Sequence, residues 1–317
     1  MDVATGAVLW QRNEHRAVPV ASTTKILTAL VAQDSYPDSQ VFTVPKAAEE
    51  VDGTRFGYQA GMRVKRNDLL TTLLMVSAND SAETLAAAYP HGGRAGFIGA
   101  MNAEAASYGC TDSTWRDPTG LDAPGHLGSA ADLAILGRAL LARPLLAKLV
   151  ATPSSPYRWP SPDRHVQILD NHNHFVSWGR DPGAIGIKTG FTDHAHATIV
   201  AAQRRGGRTL IAVALGSASA AASYQDVRAI FAYGFTTPAR LGAGAEVLGS
   251  SARRGVAAGP ATAVRLLPKR QAVSSGSLLH GLRHRLLGAP LPLAVTLAIF
   301  LLLAGVMVIV WRPRAGA

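Results

Sequence analysis

Three short groups of polar residues in this 317-residue chain have the types and spacing for nucleophilic chemistry. The first, Ser22-Thr-Thr-Lys25, follows Pro19 and opens a run in which Ile26, Leu27, Leu30 and Val31 recur at helical spacing. Residues three apart on a helix share a face, so the Ser22 hydroxyl and the Lys25 amine can touch. Burial under the apolar stripe penalises the charged amine and lowers its pKa. A neutral amine beside a hydroxyl is a base that makes serine nucleophilic. Taken alone, the tetrad also fits an ordinary N-capped helix whose Lys25 snorkels to water. The second group, Ser77-Ala-Asn79, falls on a tight turn between two helical segments, where Ser and Asn are also common turn residues. The third, Lys188-Thr189-Gly190, ends the apolar stretch Ala184-Ile-Gly-Ile187.

These groups need a scaffold, and hydrophobic periodicity outlines one. Asn67 to Met75 reads as a helix with Leu69, Leu70, Leu73 and Leu74 on its buried side. Asp80-Ser-Ala-Glu83 has the form of a capping box, which predicts a structural use for both acids. Gly96 to Tyr108 is a further helix, Asp117-Pro-Thr-Gly-Leu-Asp122 a turn-rich loop, and Ser129 caps a helix to Leu141. Ala4 to Trp10 reads as a turn followed by a short strand, Gln40 to Val44 as a short strand, and the four prolines within 152–165 predict a loop. Strands at 184–190, 197–202 and 209–215 follow, the last two joined by the basic hairpin Arg204 to Arg208. Val227 to Phe235 is a helix able to pack on them. Helices early and adjacent strands late predict an α+β fold, an antiparallel sheet packed with helices beside an all-helical subregion.

Charge divides the chain. Residues 1–240 hold 22 Lys+Arg against 20 Asp+Glu, whereas 241–290 hold 7 against 1. The basic excess therefore belongs to one segment and not to a nucleic-acid-binding face of the body. Cys110 is the only cysteine, so internal disulfides and cysteine-based zinc sites are excluded, and a buried thiol is expected. We read 1–240 as a catalytic domain and 241–290 as a Gly/Ala-rich basic linker. Leu293 to Trp311 runs 19 residues without charge, enough for the hydrocarbon core of a bilayer, so 291–311 reads as a single membrane span and 312–317 as a short basic tail. No signal peptide is legible after Met1: either the tail anchors the protein from the cytosolic side, or an export signal precedes this start.

The order Ser-x-x-Lys, Ser-x-Asn, Lys-Thr-Gly is the motif set of penicillin-binding proteins and class A β-lactamases. The blocks Ala21 to Ala29, Asp117 to Leu121, Asn171-His-Asn173 and Gly186 to Thr192 extend the likeness over about residues 2–235. The chain thus resembles the D-alanyl-D-alanine carboxypeptidases, the low-molecular-mass penicillin-binding proteins. The resemblance implies a β-lactamase/penicillin-binding-protein-like fold and a serine peptidase that removes the terminal D-alanine from peptidoglycan stem peptides through an acyl-enzyme. It implies β-lactams as inhibitors, no cofactor, and a catalytic domain outside the cytoplasmic membrane. By the same resemblance Ser22 is the nucleophile and Lys25 its base, Ser77 relays a proton, and Asn79 holds Lys25 and the peptide. Lys188 and Thr189, with Gly190, bind the carboxylate, and the N–H groups of Ser22 and Phe191 form an oxyanion hole. His196 stands where the family usually has glycine, and Gly216 to Asp226 lacks the family's arginine.

Other chemistries fit less well. A class A β-lactamase needs a glutamate base, but only Glu83 and Glu104 lie between Asn79 and Lys188, and neither has the expected surroundings. His172/His174 and His194/His196 lack an evident third ligand, so no metal is assigned. Ile187 spoils a phosphate loop, and Gly242-Ala-Gly244 lacks the third glycine of a dinucleotide turn. A non-catalytic penicillin- or peptidoglycan-binding module is the main reading from another class.

Overall fold

The computed structural model describes residues 1–160, 165–238 and 246–248. Its centre is a three-stranded antiparallel sheet in the order β5 (Ala184–Thr192), β6 (His196–Arg205), β7 (Arg208–Ser217). Side chains alternate across a strand, and β6 buries every residue from Ala197 to Gln203 because both faces of the sheet are covered. Ile199 and Ala201 face α9 (Ala220–Thr236), where Phe175 of the short α8 (His174–Ser177) and Tyr224, Val227 and Phe231 complete one core. Val200 and Ala202 face the other way, joining Ile187 and Ile211 in the larger core beneath the remaining helices. The expected strands and the closing helix are thus found, with α9 starting seven residues earlier than its apolar pattern.

The larger core holds α1 (Lys25–Ser35), α3 (Arg66–Met75), α4 (Asn79–Ala87), α5 (Gly93–Ser107), α6 (Ala130–Leu141) and α7 (Pro144–Ala151), with the short α2 (Lys46–Glu49) beside the hairpin of β1 (Val41–Thr43) and β2 (Arg63–Lys65). Ser129 caps α6, its hydroxyl accepting from the N–H of Asp132. Cys110 is buried, and burial raises its thiol pKa out of the reactive range.

Four expectations are corrected. Residues 152–165 are not all loop: β3 (Ser154–Arg158) pairs antiparallel with β4 (Val166–Asp170), and Pro156 sits in an edge strand, where a missing N–H is tolerated. Ala4 to Trp10 contain no strand. The start of the chain instead makes single bridges, Asp2 to Leu210 and Ala7 to Val247, which also attach Glu246–Leu248, assigned above to the linker, to the body. The Ser/Thr cluster is a separate 3-10 turn, Ala21–Thr24, ahead of α1. The capping box is absent, since α4 begins at Asn79 with no side-chain cap. Asp80 is turned outward from its helix to accept from the N–H groups of Phe56, Gly57 and Tyr58. The rest of the linker, the span 291–311 and the tail 312–317 lie outside the described residues. Among the described residues no helix is long and apolar enough to cross a membrane.

Candidate active site

The site forms where the 3-10 turn meets the outer edge of β5. Ala21 adopts φ 51°, a left-handed conformation that β-carbon sterics disfavour. Two glycines admit this turn. A β-carbon on Gly190 would lie 2.7 Å from the Ser22 nitrogen, and one on Gly120 would lie 2.0 Å from the Ala21 oxygen. Gly120 also holds φ +88°, so no other residue fits there without moving the turn. Thr198 of β6 ties the turn to the sheet, its hydroxyl donating to the Val20 carbonyl at 3.0 Å.

Ser22 is half-buried, and its Oγ lies 2.8 Å from Nζ of Lys25, which is fully buried. The amine donates also to the Thr119 carbonyl at 2.6 Å. Burial first, and then the positive charge of Lys188, holds the Lys25 pKa well below the ordinary lysine value, against the pull of Asp117, Asp80 and Glu83. In the neutral state, with an N–H on Thr119, the nitrogen lone pair is free to accept the Ser22 proton. The expectation of a lysine with a depressed pKa beside a serine is met in geometry and direction.

Ser77 stands at the end of α3 with φ 64°, a second non-glycine residue in the left-handed region. Its hydroxyl accepts from Nζ of Lys188 at 3.0 Å, which bridges the helical wall of the cleft to β5. Lys188 donates also to the Thr189 carbonyl, and burial brings its pKa to about 7. Thr189 and Gly190 are half-buried, and the Phe191 side chain is 62% exposed. The three motifs, with Ser22 and Lys188 166 residues apart in sequence, are therefore brought together.

Asn79 departs from its expected contact. It makes no hydrogen bond to Lys25; its Nδ2 donates to the Asp52 carbonyl at 2.6 Å, and its buried Oδ1 has no protein partner. Thr119 takes the place of Asn79 as the holder of the amine. Sequence reasoning missed this because the acceptor is a backbone carbonyl, which leaves no mark in residue type. The only hint is the turn signature Asp117-Pro-Thr-Gly120. There Asp117 Oδ1 accepts from the N–H groups of Thr119, Gly120 and Leu121 and from the Thr119 hydroxyl, and Arg94 grips the other oxygen.

The glutamates are committed elsewhere. Glu83 pairs with Arg94 through both oxygens. Glu104 lies with Tyr108, Asp34 and Arg143 near the far end of α1, its pKa raised to about 7 by burial. His174 stacks flat on Trp178, ring centroids 4.1 Å apart, and His194 pairs with Asp122. Neither histidine pair gathers further ligands; among the described residues the potential metal-ligating atoms that do cluster are those of Glu14, His15 and Glu246.

Residues 1–219 match the family model described as D-alanyl-D-alanine carboxypeptidase, peptidase family S11. The chain is 39% identical to the D-alanyl-D-alanine carboxypeptidase DacB2 of Mycobacterium tuberculosis over 212 residues, covering 66% of this chain and 70% of that one. Among solved structures, a D-alanyl-D-alanine carboxypeptidase of M. tuberculosis superposes with TM-score 0.69 at 35% identity, covering 78% of this chain and 92% of the other. The DD-transpeptidase of Streptomyces K15 superposes with TM-score 0.70 at 26% identity, covering 74% and 95%. The α+β architecture is that of these penicillin-binding neighbours, and with a base-paired serine facing a lysine-bearing sheet edge, the chain belongs to the D-alanyl-D-alanine carboxypeptidase family of serine peptidases.

Proposed function

We propose that this protein removes the terminal D-alanine from peptidoglycan stem peptides. The observation that carries the reading is the 2.8 Å contact of Ser22 with a fully buried, charge-suppressed Lys25, facing Lys188 across the cleft. Neutral Lys25 takes the Ser22 proton as Oγ attacks the penultimate D-alanyl carbonyl. The developing oxyanion is met by the N–H groups of Ser22 and Phe191, a contribution of about 3 kcal/mol per donor. The proton passes by way of Ser77 to the leaving nitrogen, and the C–N bond breaks. Water, deprotonated by Lys25, then releases the acyl group and restores Ser22. Lys188, Thr189 and Gly190 receive the terminal carboxylate, while Asn79, whose Oδ1 is unpartnered, serves the substrate backbone. β-Lactams acylate the same hydroxyl and stay bound.

The uncharged run 293–311 and the extracellular location of the polymer support a second part of the proposal. The catalytic domain lies outside the cytoplasmic membrane, held by residues 291–311.

Intact mass after benzylpenicillin, with D-alanine release from a tripeptide ending in D-Ala-D-Ala, tests the reading. The wild type should gain one penicillin mass and release D-alanine, and Ser22→Ala should do neither. An adduct without D-alanine release would instead favour a binding module. Equal masses for the two proteins remove the site altogether.

A further inference from the structure

Lys25 depends on a carbonyl 94 residues away in sequence, so something must hold that loop against the turn carrying Ser22. His126 is 3% exposed and lies between them. Its Nδ1 accepts from the N–H groups of Arg116, at 3.0 Å, and Asp117, at 3.2 Å. An atom receiving two N–H groups carries no hydrogen, which places the ring proton on Nε2. That nitrogen donates to the Thr24 hydroxyl at 2.9 Å, and Thr24 in turn donates to the Ala21 carbonyl at 2.9 Å. The chain of contacts runs from the residues opening the Asp117–Leu121 turn to the immediate neighbours of Lys25 and Ser22. The Trp115 ring packs edge-to-face against the imidazole, ring centroids 5.7 Å apart.

We propose that His126 is a positioning residue for the base: as a neutral imidazole it clamps the loop bearing the Thr119 carbonyl to the turn bearing Ser22, and so sets the direction of the Lys25 lone pair. The proposal rests on the peptidase reading above but assigns a residue outside its three motifs. Only the neutral ring serves, since a second ring proton would point at two backbone N–H groups. Burial favours that state, outweighing the attraction of Asp117 and Asp122, the carboxylates that face the ring.

The test compares His126→Asn with His126→Gln in the full chain. An asparagine oxygen can stand near the Nδ1 position and accept from the loop, whereas glutamine reaches only the Nε2 end. Stopped-flow acylation by a fluorescent penicillin separates non-covalent affinity from the acylation rate constant, and thermal melts report folding. The Asn variant should acylate within about threefold of wild type, and the Gln variant on the order of tenfold to a hundredfold slower at unchanged affinity, because a small misorientation acts on the rate. Equal rates in the two variants, fast or slow, overturn the proposal, as does a Gln deficit that lies in affinity or follows a lost melting transition. A wild type that takes no label overturns both this assignment and the peptidase reading. A labelled wild type with indistinguishable variants overturns this assignment alone.

Discussion

Lys25 and Lys188 are both fully buried amines, each beside a serine hydroxyl, yet their surroundings differ in kind. Lys188 is shifted by burial, to about 7, and so keeps a substantial charged fraction near neutrality. Lys25 feels burial and the neighbouring cation together, and both favour the neutral amine. The lesson is that one residue type performs two tasks because one copy holds its charge and thereby helps strip the other of its own. The proton-accepting wall is built locally, by residues three apart, and the charge-holding wall is delivered by a sheet edge from the far end of the domain.

The largest effect should come from making the first lysine resemble the second. Lys25→Arg keeps a cation but cannot shed its proton, so penicillin acylation should fall by about 10²–10⁴-fold, read as labelling rate. Retention of most of that rate would sink the division of labour. Gly120→Ala attacks the locally built wall without touching a charge. Its β-carbon meets the Ala21 carbonyl, so acylation should drop by on the order of a hundredfold, with a melting temperature several degrees lower. An alanine variant with wild-type melting and labelling would show that the turn is not constrained as described.

The other lysine is probed through pH. With Lys188 charged and Lys25 neutral in the active form, kcat/KM on a carboxylate-bearing substrate should decline as Lys188 loses its proton near pH 7. In Lys188→Arg that alkaline limb should move upward while the maximum falls by about tenfold, so an unmoved limb assigns the titration elsewhere. The smallest effect concerns stability. Between the folded value of about 7 and the ordinary 10.5, the unfolded chain binds the Lys188 proton and the native protein does not, so stability from this group rises with pH across that window. Lys188→Met should flatten the rise, gaining more in urea midpoint near neutrality than at high pH. A parallel offset at every pH would contradict the buried-amine account.

The part of this site legible from the chain follows from how the walls are made. Ser22 and Lys25 could be paired from spacing alone, because helical geometry is short-ranged. The strands 197–202 and 209–215 were legible because apolar runs flanking a Gly-Gly turn specify a hairpin. That Lys188 faces Ser77 could come only from family likeness, since no local rule brings residues 111 apart into contact. Thr119 and His126 escaped for another reason: one acts through its carbonyl, and the other is an ordinary buried histidine until its tautomer is fixed by two amides. Asp80 and Glu83 misled because their spacing matches a cap, while tertiary partners, the loop Phe56–Tyr58 and Arg94, outcompeted the helix terminus.

Ala21 and Ser77 hold left-handed backbone angles on opposite walls, one preceding the nucleophile and one holding the Lys188 ammonium. Each conformation costs on the order of 1–3 kcal/mol that the denatured chain does not bear. Variants chosen for heat resistance alone should therefore drift toward relaxing these two positions, and a hardier protein obtained that way would be a slower one.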